Sequence, residues 1–208
     1  KNNRNYNIIK KIINNKTVIQ DILKKNRIEG IINLASQSHV DRSINSPEKF
    51  ISENITSNLS LIDQINFFRN KNIFLGKFIN ISTDEVYGSI EGRSSDENFP
   101  LLPNSPYSAS KASVDHILRS YYKTFNFPYI NIRCCNNYGP FQFPEKFIPT
   151  IILNFINKIK IPLYGEGINK REWIHVNDFC DAIELIFRKG KINNIYNVGS
   201  NIRIKNLD

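Results

Sequence analysis

Two side chains that could carry out proton transfer, Tyr107 and Lys111, lie four residues apart in the segment 107–111 (YSASK). In a helix this spacing places both side chains on one face. A free tyrosine titrates near pH ~10, and a neighbouring ammonium group lowers that pKa because it favours the phenolate. The pair therefore suggests a tyrosine base assisted by a lysine, although on its own this short pattern is more often a chance surface pair.

A second reactive group lies upstream in the segment 82–88 (STDEVYG). The hydroxyl of Thr83 can donate a hydrogen bond to the same substrate oxygen that Tyr107 would deprotonate. Two carboxylic acids, Asp84 and Glu85, follow it directly. An exposed acidic loop is the alternative interpretation, and the presence of Tyr107 and Lys111 downstream argues against it.

The segment 34–43 (LASQSHVDRS) contains the third group of polar side chains. His39, taken by itself, is more often a structural histidine than a ligand. Asp41 and Arg42 can form a local ion pair that shapes the loop. The segment thus allows a ligand contact but does not require one.

Two later segments also combine polar and aromatic residues. The segment 133–140 (RCCNNYGP) contains an asparagine pair, which is typical of a turn. The segment 162–178 runs from PLYGEG to REWIHVND. In it we expect Trp173 to lie in the core and Asp178 to cap the following helix.

Strands and helices alternate along the part of the chain that carries these groups. Ser46 is a good N-cap and Pro47 suits a first helical turn, which marks the start of one long helix. Apolar runs predict buried strands at 30–35, 77–82 and 128–133. Apolar residues at helical spacing predict helices at 17–25, 47–68 and 106–125.

This order predicts an α/β fold, a doubly wound parallel sheet with helices on both faces. In such sheets ligands bind beyond the carboxyl ends of the strands, and the reactive segments follow those ends. After residue 140 the sequence pattern changes, because the chain contains several prolines and a glycine-rich turn. We therefore expect a dinucleotide-binding domain at 1–140 and part of a smaller substrate-binding domain at 141–208.

Composition narrows the possible partners. The net charge is +9, but Lys and Arg are scattered and accompany abundant Asn and Ile, as a gene rich in A and T would encode, so we expect no nucleic-acid partner. No signal segment and no apolar run long enough to span a bilayer is evident, which predicts a cytoplasmic protein without a membrane partner. The three cysteines, Cys134, Cys135 and Cys180, show no metal-ligand spacing and are expected to be reduced.

The ordered motifs resemble the extended short-chain dehydrogenases, whose catalytic set is a Ser or Thr at a strand end plus YxxxK. The segment 83–88 is identical to the TDEVYG string of the nucleotide-sugar 4,6-dehydratases in that family. The remaining segments are similar to the family strings LAAESHVDRS, RxxNNYGP, EKLIP, PLYGDGxxxRDWxxVxD and YNVG. The resemblance covers residues 5–208 and implies a Rossmann-like fold with NAD as cofactor.

The resemblance also implies a role for each catalytic residue. Tyr107, helped by Thr83 and Lys111, would remove the proton of the sugar 4-hydroxyl while hydride passes from carbon 4 to NAD. Glu85 would take the proton of carbon 5, and Asp84 would protonate the oxygen that leaves carbon 6 as water. Hydride then returns to carbon 6, so no second substrate is needed. An epimerase has no use for this acid–base pair.

The resemblance assigns binding residues as well. Ala35 and Ser36 are small and allow the backbone to approach NAD, and Arg171 suits a phosphate because its guanidinium is planar. The residues expected beside NAD are Leu34, Ala35, Ser36, Ser38, Tyr107, Lys111 and Asn137. The residues expected at the nucleotide sugar are His39, Thr83, Asn136, Lys146, Phe147, Ile148, Pro162, Leu163, Tyr164 and Arg171.

Four positions depart from the family pattern. The glycine-rich GxxGxxG fingerprint is expected upstream of Lys1. Ile12 stands where the family has an Asp that meets adenine, Gln37 replaces a Glu, and Glu53 replaces a common Thr. These departures concern the cofactor and leave the catalytic set intact.

The motif set is most similar to the dehydratases that act on dTDP-glucose in deoxysugar or rhamnose biosynthesis, and UDP-glucose dehydratases share it. A related epimerase or decarboxylase and an inactive scaffold protein are the alternatives. By resemblance we expect a homodimer that pairs the helices at 47–68 and 106–125. Phe67, Phe68 and Tyr121 agree with such an interface, although core packing would explain them as well.

Overall fold

The computed structural model describes residues 6–74, 76–90, 94–162 and 167–207. The helices are α1 (Lys16–Lys25), α2 (Val40–Asn45), α3 (Pro47–Phe50), a π-helical segment (Ile51–Thr56), α4 (Ser57–Asn70), a 3₁₀ turn (Asp84–Tyr87), α5 (Pro106–Phe125), α6 (Phe147–Ile156) and α7 (Val176–Lys189). The strands are β1 (Gly30–Asn33), β2 (Lys77–Thr83), β3 (Tyr129–Cys134), β4 (Asn136–Tyr138), β5 (Lys170–His175), β6 (Ile195–Val198) and β7 (Arg203–Lys205).

The main sheet has four parallel strands in the order β1-β2-β3-β6. Its register aligns three buried asparagines, Asn33, Asn80 and Asn131, across neighbouring strands. Nδ2 of Asn33 donates to Oδ1 of Asn80 at 3.0 Å, and Nδ2 of Asn80 donates to Oδ1 of Asn131 at 2.8 Å. A shift of the register would leave these buried amides without partners, so the ladder favours the observed alignment.

Apolar residues of the central strands alternate between two cores. Phe78 of β2 packs in one core with α1, α4 and α5, whereas Ile79 and Ile81 pack in the other with α7. This alternation follows from the two-residue period of a strand. Helices therefore cover both faces of a parallel sheet, which confirms the predicted doubly wound, Rossmann-like α/β fold.

The two long helices predicted from the sequence agree with the structure to different degrees. α5 begins at Pro106, where Ser105 and Ser108 form a reciprocal capping box, and it ends at Phe125 as predicted. The predicted helix at 47–68 is instead α3, the π-helical segment and α4 in succession. Ser46 occupies the N-cap position of α3 as predicted, and its side chain makes no capping hydrogen bond there.

The part of the chain after residue 140 contains strands that were not predicted. β5 pairs in parallel with β4 and antiparallel with β7 to form a small second sheet. The predicted division at residue 141 needs one correction, because β6 pairs with β3 and so belongs to the main sheet. After β5 the chain crosses to the main sheet through α7 and β6, and it then returns to the second sheet as β7.

Within the described ranges, no helix combines the length and the apolar character that crossing a bilayer requires.

Candidate active site

The segment TDEVYG forms a tight turn at the carboxyl end of β2. Thr83 ends the strand, and its Oγ1 accepts a hydrogen bond from the backbone N–H of Glu85 at 3.2 Å. A single 3₁₀ turn, Asp84–Tyr87, follows and ends at Gly88. Asp84 and Glu85 are partly buried in this hydrogen-bonded turn, so the alternative interpretation of an exposed acidic loop is wrong.

Gly88 is required by the backbone at the end of this turn. Its φ is +75°, and a Cβ atom there would lie 2.1 Å from the carbonyl oxygen of Leu102. We expect Gly88→Ala to lower the free energy of unfolding by at least ~1–3 kcal/mol, since strain at an unfavourable φ and the steric clash act together. Urea denaturation of the purified variant measures this loss, and a change below ~0.5 kcal/mol would contradict the account.

α5 brings Tyr107 and Lys111 to the same place, as predicted from their spacing. Tyr107 is 9% exposed, and Thr83, Asp84 and Glu85 lie close enough to influence its pKa. Nζ of Lys111, also buried, donates to the carbonyl oxygen of Ile81 at 2.6 Å. Three of the five predicted catalytic residues thus meet beside the end of β2.

The expected effect of Lys111 on Tyr107 is not what the structure shows. Burial raises the pKa of Tyr107 above its ordinary value, and the nearby Glu85 carboxylate raises it further. Burial also lowers the pKa of Lys111. In the protein alone the Tyr107 pKa is therefore raised and not lowered as predicted, because desolvation is the largest influence on it.

The two carboxylic acids of the turn are both shifted toward the protonated form. Burial raises the pKa of Asp84 from 3.8 to about 6, and the neighbouring Glu85 adds to this rise. Burial also raises the pKa of Glu85, while the positive charges of Arg171 and Lys146 oppose that shift. Asp84 is thus suited to hold a proton, and Glu85 lies nearest the cations that stabilise a carboxylate.

The Asp84 shift predicts how stability depends on pH. The folded protein binds the Asp84 proton more tightly than the unfolded chain, so unfolding releases this proton between its ordinary pKa of 3.8 and about 6. The contribution of Asp84 to stability therefore falls as pH rises through that interval and is constant above it. Urea unfolding at about pH 4.5 and about pH 7.5 should show wild type losing more stability with rising pH than Asp84→Asn.

Asp181→Asn is the matched control, because Asp181 is an exposed acid of α7. It is expected to follow wild type at both pH values. A wild-type protein whose stability rises between the two pH values relative to Asp84→Asn would contradict a raised Asp84 pKa.

A buried ion pair that the sequence did not reveal lies beneath the turn. Nε of Arg133 on β3 donates to Oδ2 of Asp115 on α5 at 2.9 Å, and both side chains are at most 4% exposed. Nη1 of Arg133 donates to the phenol oxygen of Tyr87 at 2.8 Å, and that phenol donates to Asn197 of β6 at 2.7 Å. The network joins the helix that carries Tyr107 to the turn that carries the carboxylic acids.

The loop after β1 forms the neighbouring edge of the site. Leu34 and Ala35 are exposed, and Ser36 and Ser38 follow them. Asn54 of the π-helical segment is fully buried and holds this loop. Its Nδ2 donates to the Gln37 carbonyl at 3.0 Å and to Oγ of Ser110 on α5 at 2.9 Å, and its Oδ1 accepts from the Gln37 N–H at 2.7 Å. π-helical segments occur often at functional sites, and no sequence pattern indicated this one.

Two buried polar atoms at the strand ends lack a protein partner among the described residues: Oγ of Ser82 and Oδ1 of Asn137. Asn136 and Asn137 lie on β4, not in the turn that an asparagine pair suggests. Nδ2 of Asn137 donates to the Cys135 carbonyl at 3.2 Å, and Nδ2 of Asn136 donates to the Glu172 carbonyl at 3.2 Å. Unpaired buried acceptors beside a cleft are consistent with a bound ligand.

The residues predicted to bind the substrate do not all lie close to the carboxylic acids. Arg171 lies near Glu85, as does Lys146, whose Nζ donates to the Ser38 carbonyl at 3.0 Å. Phe147 stacks on Trp173 with ring centroids 6.0 Å apart. Pro162 is exposed. Leu163 and Tyr164 lie outside the described residues.

Two interactions fix this loop. Arg42 pairs with Glu145 and not with Asp41, so the local ion pair that the sequence allowed does not form. Nδ1 of His39 caps α2 by accepting the backbone N–H of Arg42 at 3.4 Å, which gives this histidine a structural contact.

Ile148 does not lie among the catalytic residues. It lines a pocket of about 430 Å³ whose described lining also includes Tyr138, Phe141 and His175 but none of the predicted catalytic residues.

Two missed residues adjoin the carboxylic acids. Glu172, which neighbours Arg171 in sequence, lines a pocket of about 200 Å³ together with Asp84 and raises the pKa of Asp84. Cys134 lies near Tyr107 and Lys111. Neither has a sequence signal of its own, because each depends on contacts between distant segments.

Comparisons with known proteins agree with this geometry. A dTDP-glucose 4,6-dehydratase of Streptomyces antibioticus is 44% identical over 86% of this chain, and one of Salmonella typhimurium is 40% identical over 91%. The chain spans 52% and 56% of the lengths of these two relatives.

Solved structures show the same fold. The dTDP-glucose 4,6-dehydratase DesIV of Streptomyces venezuelae, solved with NAD and TYD bound, superimposes with a TM-score of 0.89 at 38% identity. The match covers 96% of this chain and 60% of DesIV. A UDP-glucose 4-epimerase of Thermotoga maritima gives a TM-score of 0.89 at 25% identity, over 99% of this chain and 66% of the epimerase.

The family model described as GDP-mannose 4,6 dehydratase matches residues 1–208, which is the whole chain. The turn Asp84–Tyr87 and helix α5 both lie within the matched region. The chain belongs to the GDP-mannose 4,6 dehydratase family.

Proposed function

We propose that this protein dehydrates a nucleotide-diphosphate glucose to its 4-keto-6-deoxy product with NAD as a resident cofactor. The observation that carries the proposal is the adjacent acid pair, Asp84 and Glu85, held beside Tyr107 at the end of β2. The names of the relatives favour dTDP-glucose as substrate, and UDP-glucose is the alternative. The product would enter deoxysugar or rhamnose biosynthesis.

In the proposed mechanism, Tyr107, Glu85 and Asp84 each transfer one proton. Tyr107, oriented by Thr83, removes the proton of the sugar 4-hydroxyl. Glu85 takes the proton of carbon 5 and later returns it there. Asp84, whose pKa of about 6 lets it carry a proton near neutral pH, protonates the oxygen that leaves carbon 6. The two acids thus act at neighbouring carbons of one sugar.

The residues at the strand ends fit NAD. Ala35 is small and exposed, and Ser82 and Asn137 present buried oxygens that lack partners among the described residues. When bound there, NAD supplies a hydride acceptor for carbon 4 and a hydride donor for carbon 6, so no second substrate is consumed. We propose that Lys111 and the loop 34–38 lie against this cofactor.

Charge at the mouth of the site supports an anionic substrate. Arg171 and Lys146 both lower the pKa of Glu85, so two cations lie near the carboxylic acids of the turn. A guanidinium is well shaped for a diphosphate. We propose that Arg171 and Lys146 hold the diphosphate, with Asn136, Phe147 and the segment 162–164 nearer the nucleotide and sugar.

The proposal extends to assembly and location. We propose a cytoplasmic homodimer, without nucleic-acid or membrane partners, in which α4 and α5 pair with their copies. Phe67 of α4 is 50% exposed and supports this interface. Phe68 is buried in the core and Tyr121 packs against that core, so neither adds to the argument.

A related epimerase is the second candidate because the Thermotoga maritima epimerase shares the fold. The test is mass spectrometry of the full-length gene product with dTDP-glucose and, separately, UDP-glucose. A product lighter by one water, without net NADH, is expected with one of them. A product with unchanged mass and inverted configuration at carbon 4 would contradict the dehydratase hypothesis and support the epimerase hypothesis.

A further inference from the structure

Two of the positions that depart from the family pattern contact each other. Gln37 lies in the loop 34–38 after β1, and Glu53 lies on the π-helical segment. Nε2 of Gln37 donates a hydrogen bond to Oε2 of Glu53 at 2.5 Å. The family pattern has a glutamate at the first position and a threonine at the second. Both versions therefore place a single carboxylate at this contact, on the loop in the family pattern and on the helix in this chain.

Glu53 has a partner for each of its carboxylate oxygens. Oε2 accepts from Gln37, and Oε1 lies 3.8 Å from Nζ of Lys49, one helical turn earlier. Gln37 and Glu53 are both partly buried, so water competes less for their hydrogen bond than it does on an open surface. A hydrogen bond to a charged group is also stronger than one between neutral groups. The contact therefore holds the Gln37 side chain against the helix.

The neighbouring residue Asn54 holds the backbone at the same position. Its Oδ1 accepts from the N–H of Gln37 at 2.7 Å, and its Nδ2 donates to the carbonyl oxygen of Gln37 at 3.0 Å. The π-helical segment thus binds Gln37 through both its backbone and its side chain. Because the Glu53 side chain can be changed without removing the two backbone hydrogen bonds, its effect can be measured separately from the course of the loop.

These contacts hold the loop that we place against NAD. Gln37 lies between Ser36 and Ser38, and Nζ of Lys146 donates to the carbonyl oxygen of Ser38 at 3.0 Å on the far side of the loop. A resident cofactor has to stay bound while it is reduced, because its hydride returns to the same sugar. A loop that is already ordered loses less freedom when the cofactor binds, which slows release of the cofactor.

We propose that Gln37 and Glu53 are a coupled positioning pair that keeps NAD bound by fixing the loop 34–38. This inference rests on the proposed function, since it takes NAD to be the ligand of the loop. The pair needs one carboxylate and one hydrogen-bond donor, and either position can supply the carboxylate. Two carboxylates would repel each other, and two neutral side chains would lack the charged acceptor. The two departures from the family pattern are thus one compensated change.

A double-mutant cycle on the full-length protein tests the coupling. Gln37→Glu alone and Glu53→Thr alone are each expected to release NAD at least ~10-fold faster than wild type, because each loses a charge-assisted hydrogen bond. Gln37→Glu combined with Glu53→Thr restores one carboxylate and one donor, and its release rate is expected within ~3-fold of wild type. The rate is measured by loading each protein with radiolabelled NAD and diluting it into excess unlabelled NAD.

Two further measurements distinguish NAD positioning from a general loss of structure. With dTDP-glucose as substrate, the single variants should need a higher NAD concentration for half-maximal dehydration, whereas kcat at saturating NAD should equal that of wild type. Glu48→Thr is the matched control, because it removes an exposed acid of α3. It is expected to release NAD at the wild-type rate.

The possible failures of the inference and of the proposed function differ. Single variants that retain NAD as wild type does would overturn the coupled pair, and so would a double variant that releases NAD faster than either single variant. Single variants whose rate does not recover at saturating NAD would also overturn it. A wild-type protein that binds NAD but forms no dehydrated product would overturn the proposed dehydration alone, whereas a wild-type protein that binds no NAD would overturn both.

Discussion

Glu85→Gln is expected to lower the rate of water elimination by ~10²–10⁴-fold, because glutamine cannot accept the proton of carbon 5. In the proposed mechanism, oxidation at carbon 4 depends on Tyr107 and does not use Glu85. The variant should therefore still form some enzyme-bound NADH when the sugar is added. Product formation is measured by mass spectrometry and bound NADH by absorbance.

Glu184→Gln is the matched control for this experiment. Glu184 is exposed on α7, where it pairs with Arg188 one turn away, and its loss is expected to leave dehydration unchanged. An inactive scaffold protein would respond to neither substitution. A Glu85→Gln variant that dehydrates the sugar at the wild-type rate would show that another residue removes the carbon 5 proton.

Arg133→Ala is expected to lower the free energy of unfolding by ~3–5 kcal/mol, since it leaves the Asp115 carboxylate buried without its charge partner. The phenol of Tyr87 loses a donor at the same time. Because these contacts join α5 to the turn of Asp84 and Glu85, activity should fall along with stability. Urea denaturation measures the loss.

Two further variants show whether the loss of stability comes from leaving a charge buried or from losing an ion pair as such. Arg188→Ala removes an exposed i,i+4 pair, and we expect a change below ~1 kcal/mol. The double variant Arg133→Met with Asp115→Leu replaces the whole buried pair by apolar groups and should be more stable than Arg133→Ala. An Arg133→Ala variant as stable as Arg188→Ala would contradict the structural role of the network.

The features that sequence reasoning predicts well are local. α5 was predicted to the residue because Ser105 and Pro106 mark its start, and Asn126, in the left-handed conformation, ends it. The parallel strands were predicted from their apolar runs because each central strand is covered on both faces. The meeting of Thr83 with Tyr107 follows from these elements, since the carboxyl ends of parallel strands share one edge of the sheet.

The features that sequence reasoning missed depend on contacts between distant segments. β6 has four residues and nothing in them specifies β3 as its partner, so the predicted domain division at 141 failed there. The pairing of Arg133 with Asp115 joins a strand to a helix 18 residues away in sequence. The raised pKa of Tyr107 depends on its burial, which the spacing YxxxK does not contain.

The most direct test of the central claim follows the hydride. dTDP-glucose carrying deuterium at carbon 4 is incubated with the full-length, NAD-loaded protein, and the product is analysed by mass spectrometry and NMR. The account predicts a sugar that has lost one water and carries the deuterium at carbon 6. A product that keeps its oxygen atoms, with deuterium still at carbon 4, would contradict it.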